Sequence, residues 1–393
     1  MLRIASVLFS YYPADPRPRR EAEALVEAGM SVDVLCLKDK RGERWEEEVN
    51  GIHVLRLPGA RTRRGKGRYL WEYAWFIFVA FVKLSILHMR KRYDVVHVHN
   101  MPDVLVFCAL LPRLGGSKIL LDLHDPMPEI YMTKYSVRAS HPAIRLLRLL
   151  EKWSIGFADA VVTPNLAFRN LFLSRSCPEW KMHIVMNSPQ ETIFKGHSNR
   201  LGSGRRNEFI LMFHGAIMER NGLDTALQAL FRIRKEIPNL RFEVYGEGDF
   251  VKPFLKLVKE LNLTGVVNFH GYSPLEVIAT AIQTIDVGII PSKMSPFTNL
   301  SLPTRIFEYL SMKRPVIAPR TKGILDYFDE NSLYLFEPDD PESLMKKIIE
   351  VYQDPIRCQE ILERGVKIYQ AYRWEEQRKE FIGVVKNLAA MNE

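Results

Sequence analysis

Short apolar runs rich in branched residues alternate along the whole chain with longer segments of helical period. In the first half the pattern predicts strands at residues 4–9, 32–37, 95–98, 119–123, 160–163 and 183–185. Helices are expected there at 19–28, 71–90, 104–114, 143–155 and 166–173. The second half repeats the scheme, with strands at 209–213, 242–245, 266–269, 287–290, 316–318 and 333–336. Its helices fall at 223–235, 251–261, 275–282, 304–310 and 342–352, and a last one at 374–389. Strands that are apolar throughout and separated by helices mark parallel sheets covered on both faces. The stretch 188–207 is rich in Ser, Gly, Asn and basic residues and has no period, so it reads as a linker.

The expectation is therefore an α/β protein of two doubly wound Rossmann-like domains facing each other across a cleft. Residues 1–188 and 208–370 form the domains, 189–207 the linker, and 371–393 a C-terminal helix returning to the first domain. Ligands in such sheets bind beyond the carboxyl ends of the strands.

Composition changes the picture mainly through charge. The formal net charge is +9. Residues 1–190 hold 28 Lys and Arg against 19 Asp and Glu, while 191–393 hold 27 of each. The first half should therefore meet something anionic. The four cysteines are widely spaced and form no CxxC pair, so neither a disulfide framework nor a zinc site is expected. No secretory signal is read at the start, where residues 4–9 are taken as a buried strand. The stretch 69–89 is apolar, but its longest uninterrupted run, 74–82, is closed by Glu72 and Lys83, so it is not expected to span a bilayer. Arg61, Arg63, Arg64, Lys66 and Arg68 lead into Trp71, Tyr73, Trp75, Phe76 and Phe78. Basic residues beside aromatics suit a helix lying in a membrane interface; an ordinary helix packed on the sheet has the same pattern.

Candidate chemistry sits in strand-to-helix turns. Residues 213–217 (FHGAI) run through Glu219, Arg220, Asn221 and Gly222 into a helix, and 245–249 (YGEGD) repeats the layout. Glycine turns at helix starts expose N–H groups that suit a phosphate, and Arg220 adds charge. In 301–310 (SLPTRIFEYL), Pro303 fits a helix start, and Arg305 and Glu308 share a face. Glu308 is suited to accept two ribose hydroxyls, with Arg305 and the helix N-terminus toward a diphosphate; the spacing equally suits a plain surface ion pair. In 121–126 (LDLHDP), His124 stands at the end of a strand, where ligand-facing residues collect. His97 and His99 read as half-buried structural residues. Asp15, Arg17, Arg19 and Arg20 lie in a proline-stiffened, arginine-rich connection that suits a phosphorylated acceptor, or else a solvated helix start.

Together these motifs resemble the retaining family-four glycosyltransferases of the GT-B fold, over essentially the whole chain. The block 303–310 followed by 315–318 resembles the family's P-T-R-x-F-E-Y variant of the donor motif. Residues 214–222, 245–248 and 269–271 follow in the expected order, with 12–21, 122–129 and 186–187 ahead of them. The resemblance implies a nucleotide-sugar donor on the second domain, an acceptor on the first, and transfer with retention of anomeric configuration. It assigns Gly215, Arg220, Gly246, Gly248, Thr304, Arg305 and Glu308 to the donor, and His124, Arg220 and Glu308 to catalysis. Asp15, Arg17, Arg19 and Arg20 are given to the acceptor. The family's first motif Glu falls at Leu300, and its diphosphate-binding Arg and Lys fall at Ala216 and Asn221, with Arg220 the stand-in.

The expected enzyme is a hexosyl- or N-acetylhexosaminyltransferase that uses a UDP-sugar rather than a GDP-sugar, with no cofactor and no metal. Its expected acceptor is a glycan or polyprenyl-diphosphate-linked sugar in polysaccharide biosynthesis. It is expected in the cytoplasm, peripheral at the inner face of the membrane through residues 61–89, with no nucleic-acid partner. The alternatives are a nucleotide-sugar epimerase or phosphorylase of the same fold and a degenerate sugar-nucleotide-binding homologue.

Overall fold

The computed structural model describes residues 1–38, 43–59, 66–195, 208–237 and 239–391. It divides the chain into two compact units, Met1–Asn187 with Glu375–Glu393, and Ser188–Trp374. Arg61, Arg63 and Arg64, and residues 196–207 of the expected linker, lie outside the described residues.

The first unit runs β1 (Arg3–Tyr11), α1 (Pro16–Glu27), β2 (Ser31–Leu37), β3 (Glu46–Val49), β4 (Ile52–Leu57), α2 (Lys66–Lys91) and β5 (Val95–His99). A 3-10 helix, Asp103–Ala109, precedes α3 (Leu110–Leu114), β6 (Lys118–Asp122), α4 (Met127–Tyr135), α5 (Pro142–Phe157), β7 (Ala160–Thr163), α6 (Leu166–Arg175) and β8 (Met182–Ile184). The sheet order is β3-β4-β2-β1-β5-β6-β7-β8, parallel throughout except for β3 against β4. Strand order reverses at β1, so the carboxyl ends of β1, β5 and β6 flank the switch point where such sheets place ligands.

The second unit contains β9 (Phe209–His214), α7 (Leu223–Ile233), β10 (Leu240–Tyr245), α8 (Val251–Glu260), β11 (Val267–Gly271), α9 (Leu275–Ile282) and β12 (Val287–Ile289). It continues through α10 (Thr304–Ser311), β13 (Val316–Pro319), α11 (Lys322–Leu325), β14 (Tyr334–Phe336), α12 (Pro341–Gln353) and α13 (Pro355–Ala371). Its order is β11-β10-β9-β12-β13-β14, all parallel, with the switch point between β9 and β12. The core of this unit is built on Leu211 and Phe213 of β9 and Leu240, Phe242 and Val244 of β10, covered by α7, whose inward face buries Leu223, Leu227, Leu230 and Ile233. The last helix, α14 (Trp374–Ala390), packs in the first unit. Gln377 Oε1 there accepts the Met186 N–H at 2.8 Å, Arg378 pairs with Glu27 at 2.9 Å, and the Phe381 ring lies 5.4 Å from His97.

The predicted helix at 104–114 is two pieces, the 3-10 helix and α3, and Pro112 lies inside the second. The chain also has elements that the periodicity did not predict: β3, β4, α4, α11 and α13.

Helix α2 is apolar on two faces for different reasons. Phe76, Ala80 and Leu84 are completely buried, with Phe76 edge-on to Phe9 at 5.0 Å, while Glu72 and His88 are buried on the same side. Opposite them Trp71, Trp75, Phe78, Val82, Ile86 and Met89 are exposed at spacings of three and four, a continuous apolar stripe. Among the described residues, Leu70–Lys91 is long and apolar enough to cross a membrane by length and composition. Packing against the domain commits one face of it to protein, and two buried ionisable side chains lie on that face.

Candidate functional site

In the second unit the site begins with two glycine loops that interlock. Gly215 N–H donates to the Tyr245 carbonyl at 3.0 Å, Ile217 N–H to Glu247 at 2.8 Å, and Phe250 N–H to Ile217 at 3.0 Å. Gly246 and Gly248 have φ of +140° and +154°, and a Cβ on them would fall 1.9 Å from the Gly215 oxygen and 2.3 Å from the Ile217 oxygen. Only glycine tolerates both the dihedrals and the approach. The ends of β9 and β10 are thus locked together beside the switch point.

Helix α10 carries the charged side chains to the same place. Arg305 Nη1 donates to the His214 carbonyl at 2.7 Å, and its guanidinium stacks 4.6 Å from the Phe213 ring. A Cβ on Gly215 would lie 3.3 Å from that same nitrogen, so the Arg305 fork stands directly over the first glycine loop. Glu308, one turn on, is buried with Oε2 3.2 Å from Nε2 of His214. Burial, and secondarily the charge of Arg305, hold the His214 imidazole well below its usual range, so it is a neutral neighbour of the carboxylate. Tyr309 anchors the helix by donating to the Met212 carbonyl at 2.9 Å. The N-cap of α10 is Pro303, which has no side-chain acceptor, so the N–H of Thr304 at the helix start is left to an outside group. Arg220 lies in the 3-10 turn before α7, 5.7 Å from the Phe297 ring. Asn221 Nδ2 donates to the Ala216 carbonyl at 2.5 Å, which ties the two ends of the loop together.

In the first unit, Asp122 ends β6 completely buried. Arg17 grips it with both arms of the fork, Nε to Oδ2 at 2.6 Å and Nη2 to Oδ1 at 2.9 Å. Arg17 also reaches the Val185 carbonyl and Asn187 Oδ1, each at 3.1 Å, and Arg20 donates to the same Asn187 oxygen. Around this pair lie Glu21 Oε1, 3.3 Å from Arg17 Nε, His99 Nδ1, 3.0 Å from Asp122 Oδ2, and His124 Nδ1, 3.4 Å from Asp122 Oδ2. Burial alone would raise the Asp122 carboxyl; Arg17 and then His124 overturn that and hold it well below the carboxylate range.

Among the described residues, Glu21, His97, His99 and Asp122 are a group whose ligand-type atoms lie within 4.8 Å of one another. The donor types suit a divalent ion. Both oxygens of Asp122 are already engaged by Arg17, however, and Arg17 also neighbours Glu21. A dication here would sit beside a buried guanidinium.

The structure thus brings Gly215, Gly246, Gly248, Thr304, Arg305 and Glu308 to one end of the second sheet, with Arg220 on the adjoining loop. His124 stands at the end of the first sheet. The acceptor reading of the arginines needs correction in its geometry. Arg17, Arg19 and Arg20 are in α1, not in a loop, and Arg17 and Arg20 are buried and engaged with Asp122 and Asn187, so they are not presented to an acceptor. Asp15 and Arg19 stay partly exposed, Arg19 pairing with Glu23 at 3.1 Å. His97 and His99 are fully buried rather than half-buried. The sequence reading missed Asp122 and His214 as members of the sites, and Lys293, whose N–H donates to the Arg220 carbonyl and whose ammonium pairs with Asp224 at 2.6 Å. All three lie at or just beyond carboxyl ends of strands, so the switch-point rule would have found them.

Two family models match the chain, a glycosyl transferase 4-like domain over residues 14–188 and glycosyl transferases group 1 over residues 200–367. An uncharacterised glycosyltransferase of Methanocaldococcus jannaschii is 24% identical over 380 residues, 93% of this chain and 92% of that one. Among solved structures, sucrose-phosphate synthase from Thermosynechococcus elongatus superposes with a TM-score of 0.82 at 20% identity over all of both chains. The Anabaena protein HepE, solved with UDP-glucose, gives 0.75 at 15% identity over 98% of this chain and 100% of that one.

Proposed function

The chain belongs to the glycosyltransferases of the GT-B fold, and on that premise we propose that it moves a hexosyl or N-acetylhexosaminyl group from a UDP-sugar, with retention of configuration, to a lipid-linked glycan. The observation that carries the donor half is the convergence of Arg305, Glu308 and the two interlocked glycine loops at the switch point of the second sheet. Glu308, buried beside a neutral imidazole, is the acceptor for two ribose hydroxyls. The N-terminus of α10, Arg305 and Arg220 take the diphosphate, whose charge grows as the anomeric C–O bond breaks. Fixed cations and N–H groups stabilise such charge without a metal and without reorganising. The resemblance to the family assigns His124 of the first unit to the transferred sugar. The test is release of nucleoside diphosphate from a panel of UDP-, GDP- and ADP-sugars with and without lipid-linked acceptors. Acceptor-dependent release from a UDP-sugar is expected. A changed sugar nucleotide formed without acceptor would point to an epimerase instead.

The acceptor half rests on the exposed stripe of α2. Trp71 and Trp75 stack at 6.5 Å on the solvent side, and Arg90 is exposed at the helix end, so aromatic anchors and a cation share the face. We assign this face to an anionic membrane surface from the cytoplasmic side. Each buried aromatic is worth about 1.5–3 kcal/mol, so Trp71→Glu with Phe78→Glu is expected to weaken binding to vesicles containing anionic lipid by about 100-fold or more. Turnover of a water-soluble acceptor should stay close to that of the parent. Equal vesicle binding by parent and variant would remove the membrane from the account.

A further inference from the structure

We propose that Asp122 is a positioning residue, holding a proton on Nδ1 of His124 so that the opposite ring nitrogen, Nε2, is the one that meets substrate. The inference deepens the reading of His124 given above and rests on it. Three nitrogens converge on one oxygen: Arg17 Nε at 2.6 Å, His99 Nδ1 at 3.0 Å and His124 Nδ1 at 3.4 Å, all to Oδ2 of Asp122. Two of the three groups face inward. Arg17 and His99 are buried, and His99 spends its other nitrogen on Ser6 Oγ at 3.2 Å. His124 is the member that opens outward, with its side chain 23% exposed while Asp122 has no exposure at all. Nδ1 of His124 is itself buried and makes no hydrogen bond; the Asp122 carboxylate 3.4 Å away is the acceptor it faces, and the exposed edge of the ring is the side away from Asp122.

An imidazole whose Nδ1 faces a buried carboxylate carries its proton there, because the carboxylate accepts and cannot donate. Arg17 in turn keeps Asp122 ionised, since the fork bonds both oxygens of a carboxylate that water cannot reach. The groups around His124 are Asp122 and Asp125 on its own segment, Asp103 before α3, Arg17 on α1, and His97 and His99 on β5. Burial pulls the His124 imidazole down; the charge of Asp122, and after it that of Asp125, outweighs that, and the net direction is up. The ring therefore holds its second proton, on Nε2, to higher pH than an ordinary histidine, and offers a charged donor to a sugar or phosphate oxygen.

The direct test is nitrogen NMR on the full chain labelled with 15N-histidine, with the His124 signals assigned by their loss in His124→Gln. The neutral ring is expected as the Nδ1–H tautomer, and in Asp122→Asn its titration midpoint is expected to fall. An Nε2–H tautomer in the unsubstituted chain overturns the proposal without recourse to any variant that fails to fold. In the transfer assay, Asp122→Asn is expected to lower kcat about 10- to 100-fold with little change in donor KM, and to add nothing in a His124→Ala background. Additive losses in the double variant would mean that Asp122 acts on the fold and not through His124. If His124→Ala leaves transfer unchanged, the donor-side reading of His124 falls, and with it the catalytic consequence drawn here, while the tautomer still decides whether Asp122 holds the ring.

Discussion

Arg17→Ala is expected to lower the free energy of unfolding by about 3–5 kcal/mol, because it leaves a completely buried carboxylate without its cation. The substitution also removes the bonds to the Val185 carbonyl and Asn187 that tie α1 to the end of the domain. Arg19→Ala, two residues on, breaks only a partly exposed i,i+4 pair and should cost no more than about 0.5 kcal/mol. Urea denaturation of the two variants side by side checks the contrast. The pH dependence follows from the sign of the Asp122 shift. Its folded value lies below the unfolded one, so its stabilisation is full above an unfolded carboxyl pKa of about 4 and is lost as pH falls through the folded value. Arg17→Ala should lose that component of acid dependence. Glu21 works in the opposite direction: burial first, against the pull of Arg17, raises its carboxyl, so its ionisation opposes folding as pH rises. A loss of less than about 1 kcal/mol in Arg17→Ala would mean that Asp122 finds another partner.

Glu308→Ala is expected to weaken binding of the nucleoside diphosphate, and kcat/KM for transfer, by about 100- to 10,000-fold. The basis is two hydroxyl-to-carboxylate hydrogen bonds at about 1.5–3 kcal/mol each. Thermal stability should change little, because α10 keeps the Tyr309 bond to Met212 and the Arg305 bond to His214. Glu308→Gln, which retains one acceptor oxygen, should fall between the two.

Most of the fold was legible because its strands are buried on both faces and read as unbroken apolar runs. Strand β9 is a case in point, between β10 and β12 with Ile210, Leu211, Met212 and Phe213 all buried. What the pattern missed has a physical reason in each case. Strand β3 is an antiparallel edge, EEEV, whose charges suit a strand with one open side and hide its extended shape. Helix α4 starts at Met127-Pro128 and buries only Pro128, Glu129 and Met132, too little apolar surface to show a period. Helix α13 follows α12 after a single residue, Asp354, so two helices share one continuous pattern. The donor motif was legible as residue types at a helical spacing, but its partner His214 lies some ninety positions upstream and is brought to Glu308 by the sheet alone. Arginine was the residue most easily misread. The same side chain serves an anionic ligand or a buried aspartate, and only the three-dimensional position of Asp122 decides between them for Arg17.

The measurement that bears most directly on the donor site is calorimetric titration of UDP and GDP into the purified chain in EDTA, with Glu308→Ala alongside. The account predicts that UDP binds without metal, more tightly than GDP, and that the substitution weakens it at least about 100-fold. Binding that requires a divalent ion, or that survives Glu308→Ala unchanged, would contradict the assignment of the nucleotide to α10 and its glycine loops.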